Sequence, residues 1–387
     1  MEVKTLFSRN EQGTRHATWL ELFYDLAFVV ALTEISRRAT GNLTMMGLFQ
    51  SVFLFLPVVW AWMGHTFYST RFDTDDYLHR ILTLLQMLFA LGLALTVHGA
   101  LEELSVGFGL SYLSVRLILL ALYTRARLRI PEVHGITTLY LSGFTLGVLI
   151  WTASFFVSPP LRFALWGISL AADLITPWLG IRLLSQNPVD TRHLPERFGL
   201  FTIVLLGEHF LTSTNVLDNI VWSPLDILTA VASFCLVALM WWLYFLYLQE
   251  WEGNRCIRGG QPFAYLHLLL WMGMLGNIIS VEYLLPRGGD DIPLIVRGML
   301  FGSVALWLFI LAALDHTLRD SEKRRAQLSL GVAGLTLLLG FLMVQAPGFA
   351  CVLSLITILF FHVSAQERWI HGRTQSMDVK VKANPAQ

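Results

Sequence analysis

The sequence predicts an all-α integral membrane protein with twelve transmembrane helices. Its composition is the first observation: 55% of the 387 residues are hydrophobic and only 14% are charged. A soluble domain has about a quarter of its residues charged. The second observation is that the apolar residues come in runs of about 20, the length that crosses a hydrocarbon core of about 30 Å. The chain is therefore expected to cross a bilayer repeatedly.

The edges of each predicted helix are the charged or turn residues that bound an apolar run. These runs are predicted to be helices, because a membrane β-strand needs only about 10 residues. The connections between them are too short to hold a soluble catalytic domain. The twelve predicted spans are 18–36, 44–69, 77–101, 106–124, 135–157, 161–183, 197–216, 224–248, 263–285, 293–314, 326–345 and 348–366.

The basic residues predict the orientation of these spans. With a cytoplasmic N-terminus, 21 of the 27 Lys and Arg residues fall on the cytoplasmic side. A miscounted span would invert every later loop and mix the two sides, so this asymmetry supports the count. Both termini are expected in the cytoplasm, and the cell (inner or plasma) membrane is the expected location. Arg116 and Arg297 fall inside spans, and only four basic residues fall on the other side: Arg37, Arg38, Arg162 and Arg287.

Recurring short motifs predict that the chain consists of two similar halves. Tyr77-Leu-His opens the third span and Tyr265-Leu-His the ninth, while Glu21-x-Phe and Glu196-x-Phe open the first and seventh. Repeats with an even number of helices are parallel, related by an axis along the membrane normal. The predicted organisation is a cytoplasmic segment 1–17, a first six-helix repeat 18–184, a cytoplasmic connector 185–195, a second six-helix repeat 196–367 and a disordered cytoplasmic tail 368–387.

Motifs of soluble enzymes and of cofactor sites do not occur. The sequence contains no Walker A motif, HExxH, GxSxG or dinucleotide fingerprint. Its three cysteines and scattered histidines lack the spacing of metal ligands, so no metal and no cofactor is predicted. The 27 acidic residues balance the 27 basic ones, which argues against nucleic-acid binding through bulk positive charge. Two Gly-x-x-x-Gly pairs, Gly143/Gly147 and Gly298/Gly302, are predicted to allow close helix packing.

Ionisable residues inside the spans are the candidates for function, because a charge in hydrocarbon costs at least about 2.5–3.5 kcal/mol. Glu21 and Asp25 are four residues apart and share one helix face. Two carboxylates so placed repel each other unless a cation, a proton or an arginine lies between them. Glu34 lies about half a turn out of phase with Asp25, so it belongs to a different contact.

Arg116 lies about eleven residues inside the fourth span, too deep for its side chain to reach the interface. Because arginine stays protonated, a carboxylate from another helix must meet it. Glu208 and Asp25 are the first choices for this partner, and Asp173 is the third. The predicted polar network or transport path comprises Glu21, Asp25, Arg116, Asp173, Glu196, Glu208 and His209, with Glu34, His98, Glu282 and Arg297 as secondary candidates.

Two segments resemble the hallmarks of a known family. Leu20-Glu-Leu-Phe-Tyr-Asp-Leu-Ala-Phe-Val-Val-Ala-Leu and Glu196-Arg-Phe-Gly-Leu-Phe-Thr-Ile-Val-Leu-Leu-Gly-Glu are similar to the opening segments of the two halves of the bacterial low temperature requirement A family. His209-Phe210 departs from the small or aliphatic pair expected there. The resemblance covers essentially the whole chain and implies a role in growth at low temperature, without a molecular activity. The two-repeat plan is also similar to that of the endo-lysosomal two-repeat potassium channels.

Three functions stay open at this point. The first is a channel or transporter for an ion or small polar solute, with Asp25, Glu208 and Arg116 along its path. The second is a membrane enzyme acting on a lipid or lipid-linked substrate, with Glu34 or His98 as the nucleophile or base, although no catalytic residue is assigned. The third is a non-catalytic component of the membrane for growth in the cold, with every buried charge paired. The expected partners are the bilayer, an ion or solute, and further copies of the chain.

Overall fold

The computed structural model describes residues 17–72, 76–186, 189–217, 223–251, 260–287, 289–318 and 323–383. Within these ranges the regular structure consists of helices, without a β-strand, so the predicted all-α class is confirmed. The α-helices are α1 (Trp19–Gly41), α2 (Met45–Arg71), α3 (Tyr77–Thr96), α4 (Ser105–Arg129), α5 (His134–Ala153), α6 (Leu161–Leu179), α7 (Ile181–Gln186), α8 (His193–Leu217), α9 (Pro224–Trp251), α10 (Gln261–Leu284), α11 (Leu294–Leu318), α12 (Lys323–Leu342) and α13 (Gly348–Ala383).

Nine helices of the described part of the chain are long and apolar enough to cross a membrane, namely α2–α5 and α9–α13. The protein is therefore a multi-pass membrane protein. Three further predicted spans coincide with α1, α6 and α8. These helices are less apolar because they carry buried charges, among them Asp25 on α1, Asp173 on α6 and Arg197 on α8. That they too cross the membrane stays a prediction.

A capping box fixes the start of α1. The Thr18 hydroxyl accepts a hydrogen bond from the Glu21 backbone N–H at 3.2 Å, and the Glu21 carboxylate accepts one from the Thr18 N–H at 2.8 Å. Such reciprocal bonds satisfy two donors that the first turn of a helix leaves without partners. The same bonds hold the Glu21 side chain at the helix end.

The described residues group into two compact units, and the first contains those within Met1–Glu208 and Glu252–Met272. In this unit α1 packs on α2 and α3, α3 and α5 pack on α4, and α6 packs on α5. A Cβ atom added to Gly143 or Gly147 of α5 would collide with Thr176 or Asp173 of α6. The prediction of close packing is confirmed for this glycine pair.

The second unit contains the described residues within His209–Trp251 and Gly273–Gln387. Here α11 packs on α9 and α12, and α13 packs on the same two helices. No atom of the described residues lies within 4 Å of a Cβ atom placed at Gly298 or Gly302. The prediction of close packing is therefore wrong for this pair, because these glycines of α11 face open space.

The structure changes two predicted boundaries. The predicted connector 185–195 contains the end of α7 and the first turn of α8, which begins at His193, because Pro195 is accommodated in the first turn of a helix. The predicted disordered tail 368–387 is helical as far as Ala383. A helix already formed grows without a new nucleation step, and this stretch has no proline before Pro385. Residues 1–16 and 384–387 of the predicted terminal segments lie outside the described residues.

Candidate functional site

An arginine lies between the two carboxylates of α1. Arg197, on the second turn of α8, places Nη1 3.2 Å from Glu21 Oε1 and Nη2 2.6 Å from Asp25 Oδ1. All three side chains are buried. The sequence predicts a cation, a proton or an arginine between these two carboxylates. The structure has an arginine there.

Two further side chains complete this cluster. Trp62 of α2 donates a hydrogen bond from its indole N–H to Asp25 Oδ1 at 2.7 Å. His193 Nε2, on the first turn of α8, lies 3.4 Å from Glu21 Oε2. Among the described residues, no group of three His, Cys, Asp or Glu side chains is arranged to hold a metal ion.

A third acid lies farther along the same two helices. Thr33 of α1 donates a hydrogen bond from its hydroxyl to Glu208 of α8 at 2.6 Å. The sequence separation is 175 residues for this contact and 172 for the contact between Asp25 and Arg197. The near-constant separation means that α1 and α8 run side by side in the same direction. We call this line of contacts, made by Glu21, Asp25 and Thr33 with Arg197 and Glu208, the α1–α8 seam.

The middle of the α1–α8 seam is apolar. Asp25 and Thr33 are eight residues apart, about 12 Å along a helix. Val29 lies between them on the same face of α1, and Phe201 and Leu205 lie between the two charged residues of α8; all three are buried. The Phe201 ring stacks on the Trp62 indole, with 4.2 Å between ring centroids. The seam thus has polar side chains at both ends and buried apolar side chains along the helix faces between them.

Arg116 is buried, as predicted, and its partner is Asp173 of α6. The Arg116 Nη2 atom lies 2.6 Å from Asp173 Oδ2, and both side chains are 2% exposed. The guanidinium also lies over the Phe144 ring, 4.3 Å from its centroid. The gap beside this pair has no room for a water molecule. The first-choice partners, Glu208 and Asp25, are wrong, because both belong to the α1–α8 seam.

Replacing Gly147 with alanine is expected to lower the free energy of unfolding by about 1–3 kcal/mol, the usual cost of overpacking. The new Cβ atom would collide with the Asp173 carboxylate and push it off Arg116. The fall in Tm of the purified protein measures this loss. Gly298→Ala is the matched control, since its Cβ meets open space and alanine favours helix over glycine. Equal Tm values for the two variants would contradict the expectation.

The remaining predicted residues do not join the seam. His209 Nε2 lies 3.0 Å from the amide oxygen of Asn277, in the second unit. Glu34 contacts Arg37 Nη1 and His98 Nε2, each at 2.8 Å, in a partly exposed group at the other end of α1. Arg297 is buried and donates to Cys351 Sγ at 3.3 Å and to the Ala346 carbonyl at 3.1 Å. Glu196 and Glu282 are half-buried.

A second buried polar cluster, in the other unit, was not predicted. Arg325 of α12 pairs with Glu250 of α9, and its guanidinium lies 3.8 Å from the centroid of the Tyr247 ring. The Tyr247 hydroxyl contacts Ser329 Oγ at 2.7 Å, and that oxygen lies 3.1 Å from His362 Nε2. Arg325 and Glu250 stand at the edges of predicted spans, where a sequence pattern does not distinguish a buried charge from one in the headgroup region.

Comparison with known proteins gives two matches. The sequence model of the family described as bacterial low temperature requirement A protein (LtrA) matches residues 16–363. The chain is also 25% identical over 286 residues to the uncharacterized protein RA0937 of Rhizobium meliloti (strain 1021), and the aligned part covers 69% of each chain. The family match includes both Leu20–Leu32 and Glu196–Glu208, the segments that carry the resemblance, which is thereby confirmed.

Proposed function

This chain belongs to the bacterial low temperature requirement A family, and we propose that it is a channel or transporter that carries a cation along the α1–α8 seam. The observation that carries the proposal is that Glu21, Asp25 and Glu208 all lie on this one seam. Acids buried in a membrane protein mark the paths of ions and protons. Because these three are carboxylates, they favour a cation.

The Arg116–Asp173 pair supports the proposal by contrast. It joins one cation to one anion in a gap without room for water, as expected of a pair that fixes helix positions. Arg197 instead serves two carboxylates, and His193 contacts one of them. We therefore assign Arg116 and Asp173 to the scaffold and the α1–α8 seam to the path.

The apolar section of the seam acts as the gate in this proposal. Apolar constrictions close ion paths by excluding water. In the described conformation Val29, Phe201 and Leu205 occupy the stretch of about 12 Å between the acids. Conduction then requires that α1 and α8 separate at this apolar section. The acids at the two ends of the seam are the binding sites from which the cation enters and leaves it.

We extend the proposal to twelve membrane crossings in two parallel repeats, with both termini on the cytoplasmic side of the cell membrane. The side-by-side, same-direction course of α1 and α8 supports it, because equivalent helices of parallel repeats run in the same direction. The buried charges of α1 and α8 contact one another, which lowers the cost of placing both helices in a bilayer. The polar cluster around Arg197 then lies at the cytoplasmic end of the path.

Reconstitution of the purified protein into liposomes tests the transport function. Proton and potassium fluxes are followed with fluorescent indicators under an imposed membrane potential, against protein-free liposomes. Wild-type protein is expected to carry at least one of these cations. Asp25→Asn and Glu208→Gln should each lower that flux about tenfold or more, the factor that corresponds to about 1.4 kcal/mol of added barrier.

Glu102→Gln is the matched control, because it makes the same carboxylate-to-amide change at an exposed position between α3 and α4. Its flux should equal that of the wild type. Flux that is unchanged in Asp25→Asn and Glu208→Gln would remove the seam acids from the path. Absence of proton and potassium flux in wild-type liposomes would favour the non-catalytic alternative.

A further inference from the structure

One buried arginine has no anion to pair with among the described residues. Arg71, the last residue of α2, is 9% exposed, and its Nε, Nη1 and Nη2 atoms have no hydrogen-bond partner there. The guanidinium carbon lies 5.2 Å from the centroid of the Phe67 ring and 5.8 Å from that of the Tyr140 ring, and the Tyr140 hydroxyl faces the guanidinium. The carboxylate of Asp76, five residues later in the chain, pairs with Arg125. A buried guanidinium in this state lacks the acceptors that normally offset its desolvation.

Other polar groups without partners surround Arg71. The Tyr123 hydroxyl and both side-chain amide atoms of Gln261 are buried and form no hydrogen bond within the described part of the chain. The Tyr140 hydroxyl faces the side chains of Arg71 and Gln261. The rings of Tyr123 and Tyr140 lie together, with centroids 5.0 Å apart. Four side chains from four helices of the first unit thus converge on one place.

The chemistry of this group favours an anion. A guanidinium, two phenol hydroxyls and an amide NH₂ all offer hydrogen-bond donors. Gln261 is also the first residue of α10, where the helix dipole presents its positive end. Donors from several directions match a phosphate group, whose oxygens accept hydrogen bonds on all sides, and arginine is the side chain best suited to bind phosphate.

The depth of the group matches a position near the membrane surface. Arg71 and Gln261 stand at helix ends, Tyr123 lies six residues before the end of α4, and Tyr140 lies six residues after the start of α5. Six residues of helix span about 9 Å, which is close to the thickness of about 5–8 Å of the headgroup and interfacial layer on one side of a bilayer. Lipid phosphates occupy this zone, and dissolved phosphate reaches it from the water.

We propose that Arg71, Tyr123, Tyr140 and Gln261 form a binding site for a phosphate group, carried by a lipid headgroup or present as free phosphate. The site is separate from the α1–α8 seam, so it does not depend on the proposed cation path. A bound phosphate supplies the acceptors that Arg71 lacks, and it holds the end of α2 to the start of α10.

Thermal unfolding of the full-length protein in detergent tests the site. One arm adds inorganic phosphate against sodium chloride of equal ionic strength. The other adds short-chain phosphatidic acid against the corresponding phosphate-free diacylglycerol. The Tm of the wild type should rise by about 2–4 °C or more at saturation in at least one arm, because a ligand that binds only the folded state stabilises it. A rise with the lipid alone assigns the site to a headgroup, and a rise with inorganic phosphate assigns it to free phosphate.

Three variants make the result specific. Arg71→Met should lose the rise, and without phosphate it should unfold at the wild-type temperature or above, since it removes a buried cation without an acceptor. Tyr140→Phe should reduce the rise by removing one donor. Arg80→Met, which removes an exposed arginine three residues after the start of α3, should keep it. No rise in either arm, or an equal rise in Arg71→Met and wild type, would overturn the proposal.

Discussion

Replacing Arg197 with leucine is expected to lower the free energy of unfolding by about 3–5 kcal/mol, the cost of leaving a buried charge without its partner. Arg197 is fully buried and contacts Asp25 Oδ1 at 2.6 Å, so the substitution strands the Asp25 charge among apolar and aromatic side chains. It also removes the cation from between Asp25 and Glu21, which repel each other within one helical turn. The loss is measured as a fall in Tm of the purified protein.

Two companion variants separate this effect from a general loss of packing. Arg192→Leu, five residues earlier and exposed, should change stability by no more than about 0.5 kcal/mol. Arg197→Leu combined with Asp25→Asn should recover part of the lost Tm, because the amide has the shape of the carboxylate without its charge and still accepts from Trp62. A double variant no more stable than Arg197→Leu alone would contradict the role assigned to the Asp25 charge.

Replacing Arg116 with leucine should have an effect of similar size, about 3–5 kcal/mol, because it leaves Asp173 charged in a gap that does not admit water. The double variant Arg116→Leu/Asp173→Asn should be clearly more stable than Arg116→Leu, since it removes the stranded charge as well. Thermal unfolding of the wild type, both single variants and the double variant yields the coupling free energy of the pair.

A coupling energy near zero would contradict the assignment of this pair as a scaffold contact. The liposome flux assay supplies a second criterion. The double variant Arg116→Leu/Asp173→Asn should retain cation flux, since neither residue lies on the α1–α8 seam, whereas Asp25→Asn should not. Loss of flux in a folded double variant would place Arg116 and Asp173 on the path.

The sequence was sufficient to predict the helices, the need for a carboxylate beside Arg116, and the need for a cation, a proton or an arginine between Glu21 and Asp25. Run length and charge placement predicted the helical architecture, because the hydrocarbon core imposes a fixed crossing length. The four-residue spacing of Glu21 and Asp25 required a neutralising partner, and the depth of Arg116 required a carboxylate. These inferences succeeded because burying an unpaired charge is so costly that few arrangements remain.

The identity of the partners was harder to predict. The depth of a residue along its helix indicates which carboxylates can reach Arg116. Which of them does so depends on the rotation of each helix about its axis, and that rotation is determined by helix packing. Asp173 therefore meets Arg116 although Glu208 has a similar depth. Arg197 is the first residue of the predicted span 197–216, and it is therefore counted among the 21 basic residues of the cytoplasmic side. Nothing in the sequence around Arg197 indicates that its side chain points inward, toward the carboxylates of α1.

The most direct test of the proposed path is chemical block at the apolar section of the α1–α8 seam. Val29→Cys is made in a protein whose native cysteines, Cys235, Cys256 and Cys351, are replaced by alanine. Val30→Cys is the matched control, because the neighbouring valine is 44% exposed whereas Val29 is 6% exposed. A small cationic methanethiosulfonate reagent is added during cation flux. The account predicts that flux through Val29→Cys falls while flux through Val30→Cys does not. Equal flux through the two treated variants would contradict it.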